Sequence, residues 1–171
     1  MITRLSKSLC VCAVALFISL AVFNNLTDYG TNLTFIQHVL SMDSIFANAT
    51  VNYRAINSPL FHHFAYICII IIETICALIC WYGGITLLRN RKKNAFEFNR
   101  SKKWAIAGLT LAFLLWQVAF MSIGGEWFAM WMSKEWNSIQ NAFRFYVTTL
   151  LVLIYVALRD DDESNNQQLS F

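Results

Sequence analysis

Four stretches of the chain are apolar almost without interruption, and the polar residues collect in blocks between them. The first runs over residues 9–26, carries no charge from Val11 to Val22, and has Arg4 and Lys7 ahead of it. The second covers residues 59–88. It opens on Ser58-Pro59, a capping residue followed by proline at the first helical position, and runs on through Ile69-Ile70-Ile71-Ile72. The third and fourth cover residues 103–123 and 143–158. A transmembrane helix needs roughly 20 residues, so all four read as spans. At about 30 residues and about 1.5 Å of rise each, the second is longer than the hydrocarbon is thick and should tilt or protrude. The fourth is short, so its ends should lie near the headgroups. The pattern predicts an all-α membrane protein, a single four-helix transmembrane domain over residues 1–158. An acidic polar tail follows at 159–171, expected to be disordered and cytoplasmic.

The segments between spans are patterned too. Between the first and second spans, Phe35, Val39, Met42 and Phe46 recur at helical spacing with Gln37, His38, Ser41 and Ser44 on the other side of the wheel, which predicts a short interfacial helix. After the third span, Gly124-Gly125 is a helix-ending signal, and Trp127, Met130 and Trp131 fall on one face of a second such helix. Side by side, the two would cap the external face of the bundle.

Composition sharpens this picture. Hydrophobic residues make up 57% of the 171 and charged residues only 13%, against about 25% charge in a soluble domain, and no length remains for a separate soluble catalytic domain. Ten of the thirteen Lys and Arg lie at the N-terminus (Arg4, Lys7), between spans two and three (Arg89 to Lys103) or just after span four (Arg159). Arg54, Lys134 and Arg144 fall on the other side. The positive-inside rule then puts both termini and the basic loop in the cytoplasm of a multi-pass protein of a bacterial inner membrane. Trp81 and Trp104 fall at the inner boundary of this map and Trp127, Trp131 and Trp136 at the outer one. A signal-peptide reading of the first span would leave three spans and set the two basic ends on opposite sides, so retention is expected. The five cysteines sit inside apolar runs and read as small hydrophobes. Three Asn-x-Thr strings match the glycosylation pattern and are taken as chance.

The strings Gln37-His38-Val39-Leu40-Ser41-Met42-Asp43, Tyr53-Arg54-Ala55-Ile56 and Gly124-Gly125-Glu126-Trp127-Phe128-Ala129-Met130-Trp131, with Trp136-Asn137 and Ala142-Phe143-Arg144, resemble those of the bacterial predicted small integral membrane proteins, domain of unknown function 2165. The resemblance spans nearly the whole chain. It implies a four-helix inner-membrane protein and carries no activity or catalytic residues with it.

Candidate chemistry is sparse. Glu73 lies near the middle of the second span, where a charged carboxylate costs at least about 2.5–3.5 kcal/mol, so it should face the bundle and be protonated or partnered. Gln117 of span three and Thr148 and Thr149 of span four are the candidate partners. Such a site would serve a proton or cation, or would simply hold helices together. An external set of His38, Asp43, Arg54, His62, His63, Glu126 and Arg144 would fasten the loops by ion pairs or, on a sharper reading, bind a metal or an anion; no ligand spacing in it supports the metal. Haem would need facing histidines, which spans one, three and four lack. No G-x-S-x-G string or phosphate loop occurs, and no span carries paired carboxylates, so neither catalytic residues nor a cofactor is expected. The basic stretch Arg89 to Lys103 suits anionic lipid headgroups rather than nucleic acid. Trp127, Phe128, Trp131 and Trp136 form a candidate partner surface for another membrane protein or a second copy of the chain. The expected function is that of a non-enzymatic accessory, assembly or scaffold component of a membrane complex. The alternative is a small transporter or proton-coupled channel component built on Glu73.

Overall fold

A computed structural model of the chain describes residues 1–162 and contains helices, turns and loops, with no strand among the described residues. The helices are α1 (Ile2–Thr27), α2 (Tyr29–Ser41), α3 (Pro59–Asn90), α4 (Ala95–Ser101), α5 (Lys103–Leu114) and α6 (Ile139–Ala157). A π-helical stretch, Leu115–Trp127, continues α5. Four helical rods are long and apolar enough to cross a membrane: α1, α3, the α4–α5–π rod from Ala95 to Trp127, and α6. Their outward faces carry Leu16, Leu20, Phe23, Leu78, Leu151 and Ile154 in exposed positions. That apolar surface is unfavourable in water and is what a bilayer covers.

Small residues set how closely the rods approach. A Cβ on Gly83 would lie 2.4 Å from the backbone nitrogen of Ala105, and one on Gly108 would lie 2.9 Å from that of Cys80. Thus α3 and the antiparallel α5 touch backbone to backbone, as small residues allow between membrane helices. On the other side of α3, the Ser8 hydroxyl donates to the Gly84 carbonyl at 2.7 Å and the Trp81 indole N–H donates to Ser19 Oγ at 3.0 Å, which fixes α1 antiparallel to α3. Val11, Ala15, Cys76, Cys80, Leu109, Ala112 and Val156 fill the interior. The α6 rod closes the bundle through Phe145 against Phe17 and Trp116.

The start of α1, the segment that follows α6 as far as Asp162, and the α3–α4 turn meet at one end of the bundle, the basic end. There Asp160 is buried and accepts from both Lys7 and Lys102 at 2.6 Å. Each ammonium also donates to the Leu158 carbonyl, and Asn99 bonds both the amide and the carbonyl of Asp160. Burial resists the charge on Asp160, yet hydrogen bonds and charge from Lys102 and Lys7 prevail and hold its carboxyl below the usual range. Next to it, the Asp162 carboxylate accepts from Arg4 at 3.2 Å and from the Ala95 amide at 2.9 Å. The first residues of the tail are therefore bonded to the bundle, with Asp160 buried while Asp161 and Asp162 remain exposed; positions 163–171 lie outside the described residues.

At the opposite end, α2 lies across the bundle, and the loops after α2 and after the π stretch fold onto it as a cap. Val39, Leu40, Met42, Phe128, Ala129 and Met130 form a second, smaller core there. α2 stops at Met42, which takes a left-handed backbone (φ 53°), so Phe46 lies beyond the helix. Nor do the paired glycines end the third rod: Gly124 and Gly125 are buried inside the π stretch, which runs on to Trp127. The reversal falls instead at Ala129 (φ 52°), and Met130–Met132 makes only a single 3-10 turn where a second interfacial helix was expected.

Candidate functional site

The polar feature inside the bundle is assembled from α1 and α3. On α3, Tyr66 and Glu73 are seven residues apart and share a face, and both are almost fully buried. Asn25, two residues before the end of α1, comes between them. Its amide Nδ2 donates to Glu73 Oε2 at 2.7 Å, and the Tyr66 hydroxyl donates to the Asn25 carbonyl at 3.0 Å and reaches its Oδ1 at 3.3 Å. At the rim, the Tyr29 hydroxyl and His63 Nδ1 share a hydrogen bond of 2.8 Å, and the Tyr29 ring rests against Tyr66 with centroids 4.8 Å apart.

This geometry revises the depth of Glu73. By index it is central in α3, but its partner is at the far end of α1. Measured along α3 from Arg89, the carboxyl stands about 24 Å from the basic end, and Asn25 stands about 27 Å from Lys7 along α1, against a hydrocarbon core of about 30 Å. Glu73 therefore belongs to the cap-side portion of the bundle, where α3 outreaches α1 and α2 covers the step. Trp81 is partly buried and bonded to Ser19 of α1, while Trp104, beside Lys103, is 41% exposed.

A cavity of about 320 Å³ descends from the cap side to this carboxyl. Asn24, Thr31 and Asn32 stand near its mouth, and Tyr66, Trp116, Phe120 and Trp136 form its aromatic walls. Glu73 is the one charged side chain among the described residues that line it. Beside it, between α2, α3 and the π stretch, lies an apolar cavity of about 270 Å³ that reaches Cys68, Ile72, Leu115 and Met130. Phe35, Ile36, Ile69 and Phe120 line both. The π stretch borders both spaces; such i→i+5 segments recur at functional positions because the wider turn re-aims side chains. Here it presents Trp116 to the cleft, whereas Gln117 is not among its lining residues. The partner of Glu73 is therefore Asn25, not Gln117, nor Thr148 and Thr149, which line a separate crevice between α1 and α6 together with Arg144.

The external set does not converge. His38 pairs with Asp43 (Nδ1 to Oδ2, 2.8 Å) and stacks on Trp136 with centroids 4.2 Å apart. His62, buried beneath the loop, donates from Nε2 to the Ile56 carbonyl at 2.6 Å. Arg54 joins the two loops, donating to the Trp127 carbonyl at 3.2 Å with its guanidinium 4.8 Å from the Trp127 ring centre. Glu126 is exposed and enters none of these pairs. No three His, Cys, Asp or Glu side chains come together among the described residues in a way that could hold a metal. Of the aromatic candidates, Trp127 and Trp131 are about half exposed and Trp136 lies on His38, but Phe128 is 5% exposed and belongs to the cap core.

Residues 3–159 match the family model described as "Predicted small integral membrane protein (DUF2165)". The chain belongs to this family. No curated protein and no solved structure matches it. As a family member the chain is an integral membrane protein, in keeping with its four apolar rods.

Sequence reasoning passed over Asn25, Tyr66 and Trp116, and it counted Lys7 and Lys102 as interfacial charges. Two signals pointed to the first pair: the seven-residue spacing of Tyr66 and Glu73, and an Asn24-Asn25 dipeptide in the last apolar turns of α1.

Proposed function

We propose that the protein is a small transporter or proton-coupled membrane component in which the cap-side cleft serves Glu73. One observation carries this reading: a buried carboxyl forms part of the wall of a cavity that opens toward the cap. A carboxyl kept only to hold helices together needs no such space. Toward the basic end the rods are packed on Cys76, Ala77, Cys80, Leu109 and Ala112. Access in this conformation is therefore from the cap side, and passage to the other face requires the rods to part. The accompanying topology is that of a bacterial inner-membrane protein with both termini cytoplasmic, which rests on the one-sided distribution of Lys and Arg. On the cytoplasmic face, Arg89, Arg91, Lys92, Lys93, Arg100 and Lys103 would meet anionic headgroups; Lys102 drops out of that set because it is buried on Asp160. An accessory role finds support in the exposed Trp127 and Trp131, which suit a partner surface on the cap.

The deciding experiment is accessibility. Ala21 lines the cleft on α1, one turn below Asn25. In an Ala21→Cys variant on intact vesicles, a membrane-impermeant thiol reagent applied to the cap side should label the new cysteine above the parent chain's background. Protection equal to the parent's would mean a dry bundle and would remove the transport reading.

A further inference from the structure

The cleft and the apolar cavity beside it differ in chemistry but share four wall residues, Phe35, Ile36, Ile69 and Phe120. The cleft holds one carboxyl surrounded by aromatic rings, an arrangement that attracts ammonium groups, since ring faces and a carboxylate both favour a weakly hydrated cation. Neither cavity is lined by Lys or Arg, so an anionic head would meet only Glu73. A bare divalent ion would find one carboxyl where it wants several hard oxygens. The neighbouring cavity offers no charged group at all. Its volume, about 270 Å³, exceeds the roughly 150 Å³ that suffices for benzene in an engineered apolar cavity.

We propose that the two spaces form one binding site for an amphiphilic cation of the alkylammonium class, with the charged head beside Glu73 among Tyr66, Trp116 and Trp136 and the alkyl chain in the cavity bounded by Ile72, Leu115 and Ile123. The assignment names the ligand class for the cleft and so rests on the reading of the cleft as the access route. Phe35, Ile36, Ile69 and Phe120 mark the place where head meets chain.

The test uses the full chain in nanodiscs of zwitterionic lipid, with empty nanodiscs as the blank and tryptophan quenching as the signal, because Trp116 and Trp136 line the cleft. The probes are dodecyltrimethylammonium, tetramethylammonium and 1-dodecanol. Dodecyltrimethylammonium should bind at least about tenfold more tightly than either of the others, about one charge–aromatic contact's worth of discrimination. Glu73→Gln, which keeps a hydrogen-bonding side chain of the same size, should erase the preference over dodecanol. Ala119→Leu, which narrows the apolar cavity, should erase the preference over tetramethylammonium. Equal binding of the alcohol, equal binding of the chainless cation, or an unchanged preference in Glu73→Gln would each overturn the assignment. If the cysteine at position 21 is labelled yet the three probes bind alike, the ligand class is wrong and the access route stands; if that cysteine is protected, both fall.

Discussion

Replacing Asp160 with alanine should unfold the basic end of the bundle more than any other single change there. The side chains of Lys7 and Lys102 are 2% and 4% exposed, and both ammonium groups sit 2.6 Å from the same carboxylate oxygen. Alanine leaves two like charges buried together without a counter-ion, and breaking a buried ion pair by removing one partner costs about 3–5 kcal/mol. Because both ammonium groups keep the Leu158 carbonyl, and Lys102 keeps Asn99, the lower end applies, about 3 kcal/mol. For a chain of this length that lowers the unfolding midpoint by about 6–12 °C. The assay is thermal unfolding in an uncharged detergent followed by fluorescence-detected gel filtration. Asp161→Ala, at an exposed neighbour, should stay within about 0.5 kcal/mol of the parent, and the combined change of Lys7→Met, Lys102→Met and Asp160→Leu should recover most of the loss. pH supplies a second readout. The folded-state carboxyl titrates below its unfolded value, so its contribution is complete at neutral pH and is lost as pH falls below about 4. The gap between parent and Asp160→Ala should therefore be constant from about pH 5 to 8 and close on acidification. A midpoint within 2 °C of the parent at neutral pH, or a gap indifferent to acid, would refute the argument.

Other outcomes follow from packing and charge. Gly83→Ala should cost about 1–3 kcal/mol, because the new methyl meets the backbone of Ala105; Gly30→Ala, with open space around it, should not lower the midpoint, and gel filtration with thermal unfolding separates the two. Phe128→Ala should destabilise by about 3–5 kcal/mol through loss of a cap-core ring, whereas Trp127→Ala should change the midpoint far less and act on co-purification of any partner bound to the cap. Lys92→Gln with Lys93→Gln should weaken retention of anionic over zwitterionic lipid by about 1 kcal/mol per residue, measured by native mass spectrometry of the delipidated and reloaded protein.

Hydropathy along the chain is enough to determine the all-helical, four-span architecture, because in hydrocarbon every backbone polar group must bond within its own segment and an apolar run of sufficient length has no other stable form. Ser58-Pro59 was equally legible: Ser58 caps α3 by accepting from the Phe61 amide, with Pro59 at the first position. Glu73 stood out on charge alone. Its partner did not, since nothing local to α3 says how deep α1 ends; the Asn25 contact depends on the antiparallel register of α1 on α3, fixed by Ser8 with Gly84 and by the close approach of Gly84 to Cys12. Gln117 was a sound guess by level along the rods and failed because the π stretch turns Trp116 to the cleft. Lys102 and Asp160 lie 58 positions apart and read locally as solvated charges; only the meeting of α1, α4 and the tail buries them as one cluster. What the sequence determined by itself, then, was whatever a single segment settles with its solvent. The tertiary structure decided every property that depends on one helix's length measured against another's, because a carboxyl's depth, partner and cavity belong to the contact between segments.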